Sequence, residues 1–425
     1  MFERRKKAWV AAADMGYGHL RAALPFQDIA QGGRIIAAND YPGIPESDKK
    51  IWEDSRRFYE AISRFKKFPV LGDFVFALFD KFQEIKEFYS SAEGIEAPTI
   101  QLKQIYRLME KRNWGRNLIW KLNRKPLPLI CTFFTPAHMA EFWKYEGPIY
   151  SVVTDTDISR AWAPLRPKKS KIIYCASTKR AAERLKRYGV RQENVVLTGF
   201  PLSEEFTKKN AAKAKRDLKR RLEVLDPSRR YRRQYGKTIE QYLGTVPKSV
   251  SRKRVVLTFA IGGAGAQAEL AQDIVEGARP LLQKGKLELH LIAGVHAEIA
   301  QRLLRQKGAG RVFVHSSSTK KKYFKDFSAI LSKTDILWTK PSELVFYAAF
   351  GIPIIIAPPI GSQEKMNRKW LLEVGAGIDQ KNPEFLRQWL PDLLEDGAFA
   401  EAAMQGFVEI PRDGAKNIKK LVCGS

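Results

Sequence analysis

The stretch from Asp335 to Asp379, DILWTKPSELVFYAAFGIPIIIAPPIGSQEKMNRKWLLEVGAGID, constrains the fold more than any other part of the chain. Short apolar runs alternate in it with loops rich in Pro, Gly and Ser. Residues 336–338 read as a strand, Lys340-Pro341-Ser342-Glu343 as a loop, and residues 343–350 as a helix that Ser342 caps and Gly351 stops. Residues 352–357 form an unbroken apolar run of strand length, as expected for a parallel strand buried on both faces, and Pro358-Pro359 ends it. The loop 360–365 then carries Gln363 and Glu364 into a second helix. Loops at the carboxyl ends of neighbouring parallel strands line the crevice where open α/β sheets bind ligands.

The same alternation runs through both halves of the 425 residues. Strands are predicted at 9–13, 127–134, 149–154 and 172–175, and again at 255–261, 287–293 and 312–314, with helical patterns between them. That order predicts an α/β protein of two doubly wound Rossmann-like domains facing a cleft. Residues 1–206 would form the first domain, 207–254 a basic linker and 255–425 the second.

Charge is the extreme feature of the composition: 74 basic against 46 acidic residues give a net +28. Such a field implies an anionic partner, either nucleic acid or a lipid surface. Between Lys208 and Arg254 there are 17 basic and 4 acidic residues. Within it, 213–225 has the form of a helix and 226–253 reads as a solvated loop. Residues 56–89 interleave seven basic residues with eight Phe and two Tyr. This fits either an interfacial segment anchored by Phe74, Phe76, Phe79 and Phe82 or a helical hairpin turning at 69–72. Apolar runs stop well short of the roughly 20 residues of a spanning helix. The three Cys form no CxxC or Cys/His cluster, which suits a reducing, cytoplasmic setting.

Two glycine-rich loops follow predicted strands. Asp14-Met15-Gly16-Tyr17-Gly18-His19 leads into a helix beginning near Leu20, and Gly262-Gly263-Ala264-Gly265 into a helix over 269–282. Strand, glycines, helix is the anion-binding arrangement. The first loop carries neither the GxGxxG nor the Walker pattern, and taken alone His19 reads first as a helix cap or a partner of a loop carbonyl. Thr135-Pro136-Ala137-His138 reads as a loop closing a strand, and Thr154-Asp155-Thr156-Asp157 as a strand end that contains a lone DxD.

GSQEKMNRKWLLEVGAG resembles the Q-E-x-x-N segment of glycosyltransferases of the monogalactosyldiacylglycerol synthase type, whose superfamily includes the N-acetylglucosaminyltransferase of the lipid-linked peptidoglycan precursor. DMGYGHLRAA resembles that family's D-x-G-x-G-H-x-x-A-A opening. Val153-Thr154-Asp155, Val195-x-x-Thr198-Gly199-x-Pro201 and the Gly262-Gly263 loop resemble further family segments in the same order.

The resemblance implies a GT-B fold and an inverting transfer from a nucleotide sugar, UDP-linked, to a lipid-borne hydroxyl at an anionic membrane surface. It makes His19 the base, with Asp155 orienting it or the acceptor and Gly16 and Gly18 shaping the acceptor-side loop. Gly262, Gly263 and Gly265 would meet the diphosphate, and Gln363, Glu364 and Asn367 the donor sugar. The family's ribose-binding Glu falls at Phe346 here, so Glu343 takes that role. No cofactor or metal is implied beyond the donor as substrate. The protein would be cytoplasmic and peripherally membrane-associated. Two alternatives are a non-enzymatic nucleic-acid-binding protein, motivated by the charge, and a sugar-nucleotide epimerase of the same fold.

Overall fold

A computed structural model describes residues 7–65, 85, 96–202, 211–245, 254–261, 267–305 and 310–424, apart from the side chains of 58–65, 211 and 268. Most of the aromatic-basic stretch, with all four proposed Phe anchors, lies outside these residues, as does the Gly262–Gly265 loop. The chain divides into two units, one of Met1–Ser203, Ile360–Met366 and Arg412–Ser425, the other of Glu204–Pro359 and Asn367–Pro411.

The first unit is built on a parallel sheet of β1 (Trp9–Ala12), β2 (Ile36–Ala37), β3 (Leu129–Cys131), β4 (Ile149–Val152), β5 (Ile173–Ala176) and β6 (Val195–Leu197). Its spatial order is β2-β1-β3-β4-β5-β6. Both faces are covered, as the near-continuous apolar strands require. On one face Ala11, Leu129, Cys131 and Ile149 join the rings of Trp52, Trp114 and Trp162. On the other, Val10, Ala12, Ile130 and Val152 pack with Ala415, Ile418 and Val422 of the helix Gly414–Cys423. The chain thus returns to its first unit at the end, and Asn417 Nδ2 donates to the Thr198 carbonyl at 2.9 Å. Each fully buried aliphatic side chain in such a core contributes about 1.5–3 kcal/mol.

Helices α1 (Tyr17–Ala23), α2 (Glu46–Phe65), α3 (Ile100–Arg112), α4 (Arg116–Asn123), α5 (Phe134–Phe142) and α6 (Lys179–Arg187) belong to this unit. α1 starts at Tyr17, earlier than the pattern suggested, because Gly16 takes φ 151°, which a side chain would resist. The helical pattern between the strands at 9–13 and 127–134 breaks between α3 and α4. Asn113 (φ 53°) and Gly115 (φ 81°) are left-handed, and the Asp48 carboxylate accepts the Gly115 N–H at 3.0 Å. Thr135 to His138 are helical rather than a loop, since Pro136 sits in the first turn of α5, where its missing N–H costs nothing.

The second unit repeats the plan with β7 (Val255–Ala260), β8 (Leu287–Ile292), β9 (Val312–His315), β10 (Ile336–Thr339), β11 (Ile354–Ile356) and β12 (Gly377–Asp379). These strands are parallel, in the order β12-β11-β10-β7-β8-β9. The doubly wound reading of both halves is therefore borne out. Its helices are α7 (Ala211–Leu225), α8 (Arg230–Leu243), α9 (Ala268–Gln283), α10 (Ala297–Leu304), α11 (Lys320–Leu331), α12 (Ser362–Glu373, whose first turns belong to the first unit), α13 (Leu386–Glu395) and α14 (Ala398–Glu409).

One expected loop is a helix. The segment read as a solvated loop over 226–253 holds α8, which buries Tyr231, Ile239 and Leu243. Lys320 to Lys322 open α11 behind Thr319, whose hydroxyl accepts the Lys322 N–H at 3.2 Å. From α7 the buried Arg221 guanidinium donates to the carbonyls of Thr334 and Phe350, at 2.7 and 2.8 Å, and so binds the basic segment into this unit.

Candidate active site

In the first unit the order reverses between β1 and β3, since β2 lies on one side of β1 and β3 on the other. This is the switch point at which the carboxyl-end loops part and a ligand crevice opens. The loop after β1 is pinned by Asn39, which accepts the Asp14 N–H at 2.8 Å and donates to the Asp14 carbonyl at 3.2 Å. It delivers His19, half-buried in the first turn of α1, to the end of β3.

There the His19 Nδ1 lies 2.8 Å from the Thr132 carbonyl, and the Thr132 hydroxyl donates back to the His19 carbonyl at 2.8 Å. The Thr154 hydroxyl, from the end of β4, is 3.3 Å from the same nitrogen, and the ring packs on Phe133 at 4.6 Å between centroids. A carbonyl can only accept, so Nδ1 carries the proton of the neutral ring and Nε2 the basic lone pair. Thr132 was not singled out in the sequence, and the contact of Thr154 with His19 was not foreseen there.

The loop after β4 holds both aspartates of the DxD. Asp155 follows β4, half-buried, and its carbonyl accepts from the Ser177 hydroxyl. Asp157 serves a different purpose. Its two oxygens accept from Arg184 Nε at 2.9 Å and Nη2 at 2.7 Å, with both side chains fully buried. The Ile158 N–H adds a third bond at 2.8 Å. This carboxylate is a structural half of an ion pair, so the DxD does not present two oxygen ligands together. Among the described residues no group of three or more His, Cys, Asp or Glu is placed to hold a metal.

His138 is interior. Its Nδ1 meets the Tyr106 hydroxyl at 3.0 Å and its ring packs edge-on against Phe134. Burial, and secondarily Arg160, holds its imidazole down at about 3. In the second unit the His290 Nδ1 lies 2.8 Å from the His315 Nε2, and its Nε2 3.0 Å from Glu288, which also pairs with Arg311. Burial and then His290 bring His315 down to about 4. Both imidazoles titrate near 6.5 in an unfolded chain, so between that pH and about 3–4 the unfolded state binds more protons. Their stabilising contribution is present above pH 6.5 and is lost as pH falls through this window. Acid unfolding followed by circular dichroism is expected to show the loss, and His138→Gln to flatten it.

In the second unit the switch point lies between β7 and β10. The loop after β10 is tied to α12 by Asn367, whose Nδ2 donates to the Pro341 carbonyl at 3.1 Å and which is itself buried. Asn367 and the Lys340-Pro341-Ser342 loop therefore come together. Glu343 is half-buried and opens a 3-10 helix, Glu343–Phe350, rather than an α-helix, and the Ser342 side chain makes no capping bond to it. Phe346 is buried and packs on Trp370 at 5.3 Å, so its position is part of the core. Gln363 and Glu364 fall in the stretch grouped with the first unit. Glu364 accepts the Ile360 N–H at 2.8 Å and closes its own loop.

Residues 246–332 match a family described as "Domain of unknown function (DUF6938)", which covers less than half of the chain. The processive diacylglycerol beta-glucosyltransferase of Bacillus pumilus is 23% identical over 263 residues, 61% of this chain and 57% of that protein. Its namesake from Bacillus subtilis is 21% identical over 318 residues, 69% of this chain and 72% of that protein. The chain is similar to GT-B glycosyltransferases of glycolipids. These relatives support the reading of a nucleotide-sugar glycosyltransferase, although the chain spans only a little over half the length of the first of them. Among solved structures, UDP-GlcNAc 2-epimerase from Neisseria meningitidis bound to UDP-GlcNAc superposes with a TM-score of 0.45 at 13% identity, covering 83% of this chain and 88% of that one.

Proposed function

We propose that this protein is an inverting glycosyltransferase that moves a sugar from a UDP-linked donor to a lipid-borne hydroxyl at an anionic membrane surface. The observation that carries the reading is His19, held in one tautomer by the Thr132 carbonyl at 2.8 Å at a switch point of a parallel sheet. A carbonyl fixes the ring without adding negative charge, and the lone pair on Nε2 is the one that can take a proton. The acceptor hydroxyl gives its proton to Nε2 as its oxygen bonds to the anomeric carbon. The carbon–oxygen bond to the diphosphate breaks in the same step, its electron pair leaves with UDP, and a single displacement inverts the anomeric centre.

The family resemblance gives the donor to Gly262, Gly263, Gly265, Glu343, Gln363, Glu364 and Asn367. Relatives named for action on diacylglycerol favour a lipid acceptor. A net charge of +28 favours an anionic surface, at about 1 kcal/mol per basic residue close to it. Peripheral attachment at the cytoplasmic face follows from this reading. Among the described residues no helix is long and apolar enough to cross a membrane.

The test is transfer from a panel of UDP-sugars to diacylglycerol in anionic vesicles, with the product anomer read by NMR. Epimerisation of the donor without transfer would overturn the proposal, as would retention of configuration. Gln363→Ala is expected to weaken use of the donor sugar by up to about tenfold, the value of one neutral hydrogen bond, with UDP affinity unchanged. Equal loss for UDP and UDP-sugar in a calorimetric titration would remove Gln363 from the sugar.

A further inference from the structure

A second polar cleft of the first unit lies where the N-terminus of α2 meets the break between α3 and α4. Its volume is about 400 Å³, within the roughly 300–1,000 Å³ of small-molecule sites. Asp48, Arg112, Asn113, Arg116, Asn117 and Trp120 line it. A file of rings, Phe133, Trp52 and Trp114, runs from His19 toward it, with centroids 4.6, 6.4 and 4.9 Å apart, so the cleft is separate from the catalytic candidate.

We infer that this cleft binds a pyranose sugar, against Trp120 and among the side chains of Asp48, Arg112, Asn113, Arg116 and Asn117.

The donor and acceptor inventory decides the ligand class. Arg112 and Arg116 only donate. Asn117 is oriented by the Tyr41 hydroxyl, which donates to its Oδ1 at 3.1 Å, so its NH2 is the group left to face elsewhere. Asp48 only accepts. It is buried, at 3% exposure, with one oxygen on the Gly115 N–H. A phosphate offers acceptors alone, so it would meet the arginines and leave the Asp48 carboxylate facing an anion. A ring of hydroxyls both donates and accepts, and so matches the whole set.

Trp120 supplies the apolar part. The residue is 56% exposed, and the Arg124 guanidinium lies over its ring at 4.1 Å from the centroid. An exposed indole offers a flat apolar platform for the C–H face of a sugar. The break between α3 and α4 builds the pocket. Left-handed Asn113 and Gly115 turn the chain so that residues on both sides of the break, together with Asp48 of α2, face one space.

The sugar has two sources, a free glycoside or the headgroup of a glycolipid, and the experiment separates them. The full-length protein without donor is titrated with methyl β-D-glucopyranoside by saturation-transfer NMR. It is also floated with phosphatidylcholine vesicles that contain or lack a glucosyl-diacylglycerol. Saturable glucoside binding that Trp120→Ala weakens about tenfold or more, with unchanged thermal stability, is the expected result. Flotation that depends on the glucosyl headgroup assigns the site to glycolipid, and its absence assigns it to free glycosides. Asn117→Ala gives an independent second reading of the same loss. No saturable glucoside binding, displacement by inorganic phosphate, or loss of binding in His19→Ala would each overturn the inference. Since no donor is present, the result does not depend on whether the protein transfers sugar.

Discussion

His19→Ala is expected to lower turnover by about 10²–10⁴-fold, the usual contribution of a positioned base, while the affinity for the UDP-sugar is little changed. The separation of effects follows from the chain itself. His19 stands on the loop after β1, whereas Glu343 and Asn367 belong to the second unit. The pH–rate profile should also lose its acidic limb, because only the neutral imidazole can accept the acceptor's proton through Nε2. His19→Gln offers a control, keeping a donor near the Thr132 carbonyl with no basic nitrogen, and should be nearly as slow. Kinetics with calorimetric donor binding on the same variants checks the assignment. If donor affinity falls as far as the rate, His19 contacts the donor or holds the loop. If neither moves, Asp155 becomes the residue to test as base.

Much of the fold was legible because its signals are local. Buried parallel strands read as unbroken apolar runs, and the Pro-Pro and Gly punctuation at 351 and 358–359 placed their ends. The parts that were missed depend on distant partners or on local signals of opposite sign. α8 lies in the basic segment and opens with three Arg in four residues, yet Tyr231, Tyr235, Ile239 and Leu243 recur every four residues, and three of them are buried. That spacing was the available signal, and the charge obscured it. β2 is only two residues long and exists through its pairing with β1. The bond from His19 to Thr132 joins residues 113 apart through the parallel pairing of β1 with β3, which no periodicity encodes. Asp157 misled for the same reason. As text it completes a DxD, and only the approach of Arg184 from α6 shows what its oxygens do.

Arg184→Ala is expected to destabilise the first unit by about 3–5 kcal/mol, because it leaves the Asp157 carboxylate buried without its partner. Both side chains are fully buried, so water cannot take over the guanidinium's role. Urea unfolding of the variant beside the parent checks the expectation. Replacing both partners, Arg184→Met with Asp157→Leu, should recover most of the loss, since a buried pair contributes little beyond an apolar substitute of similar volume. A single variant within about 0.5 kcal/mol of the parent at neutral pH would mean that Asp157 is solvated. Its carboxylate would then be open to a cation beside Asp155, and a metal titration would be the measurement to make next.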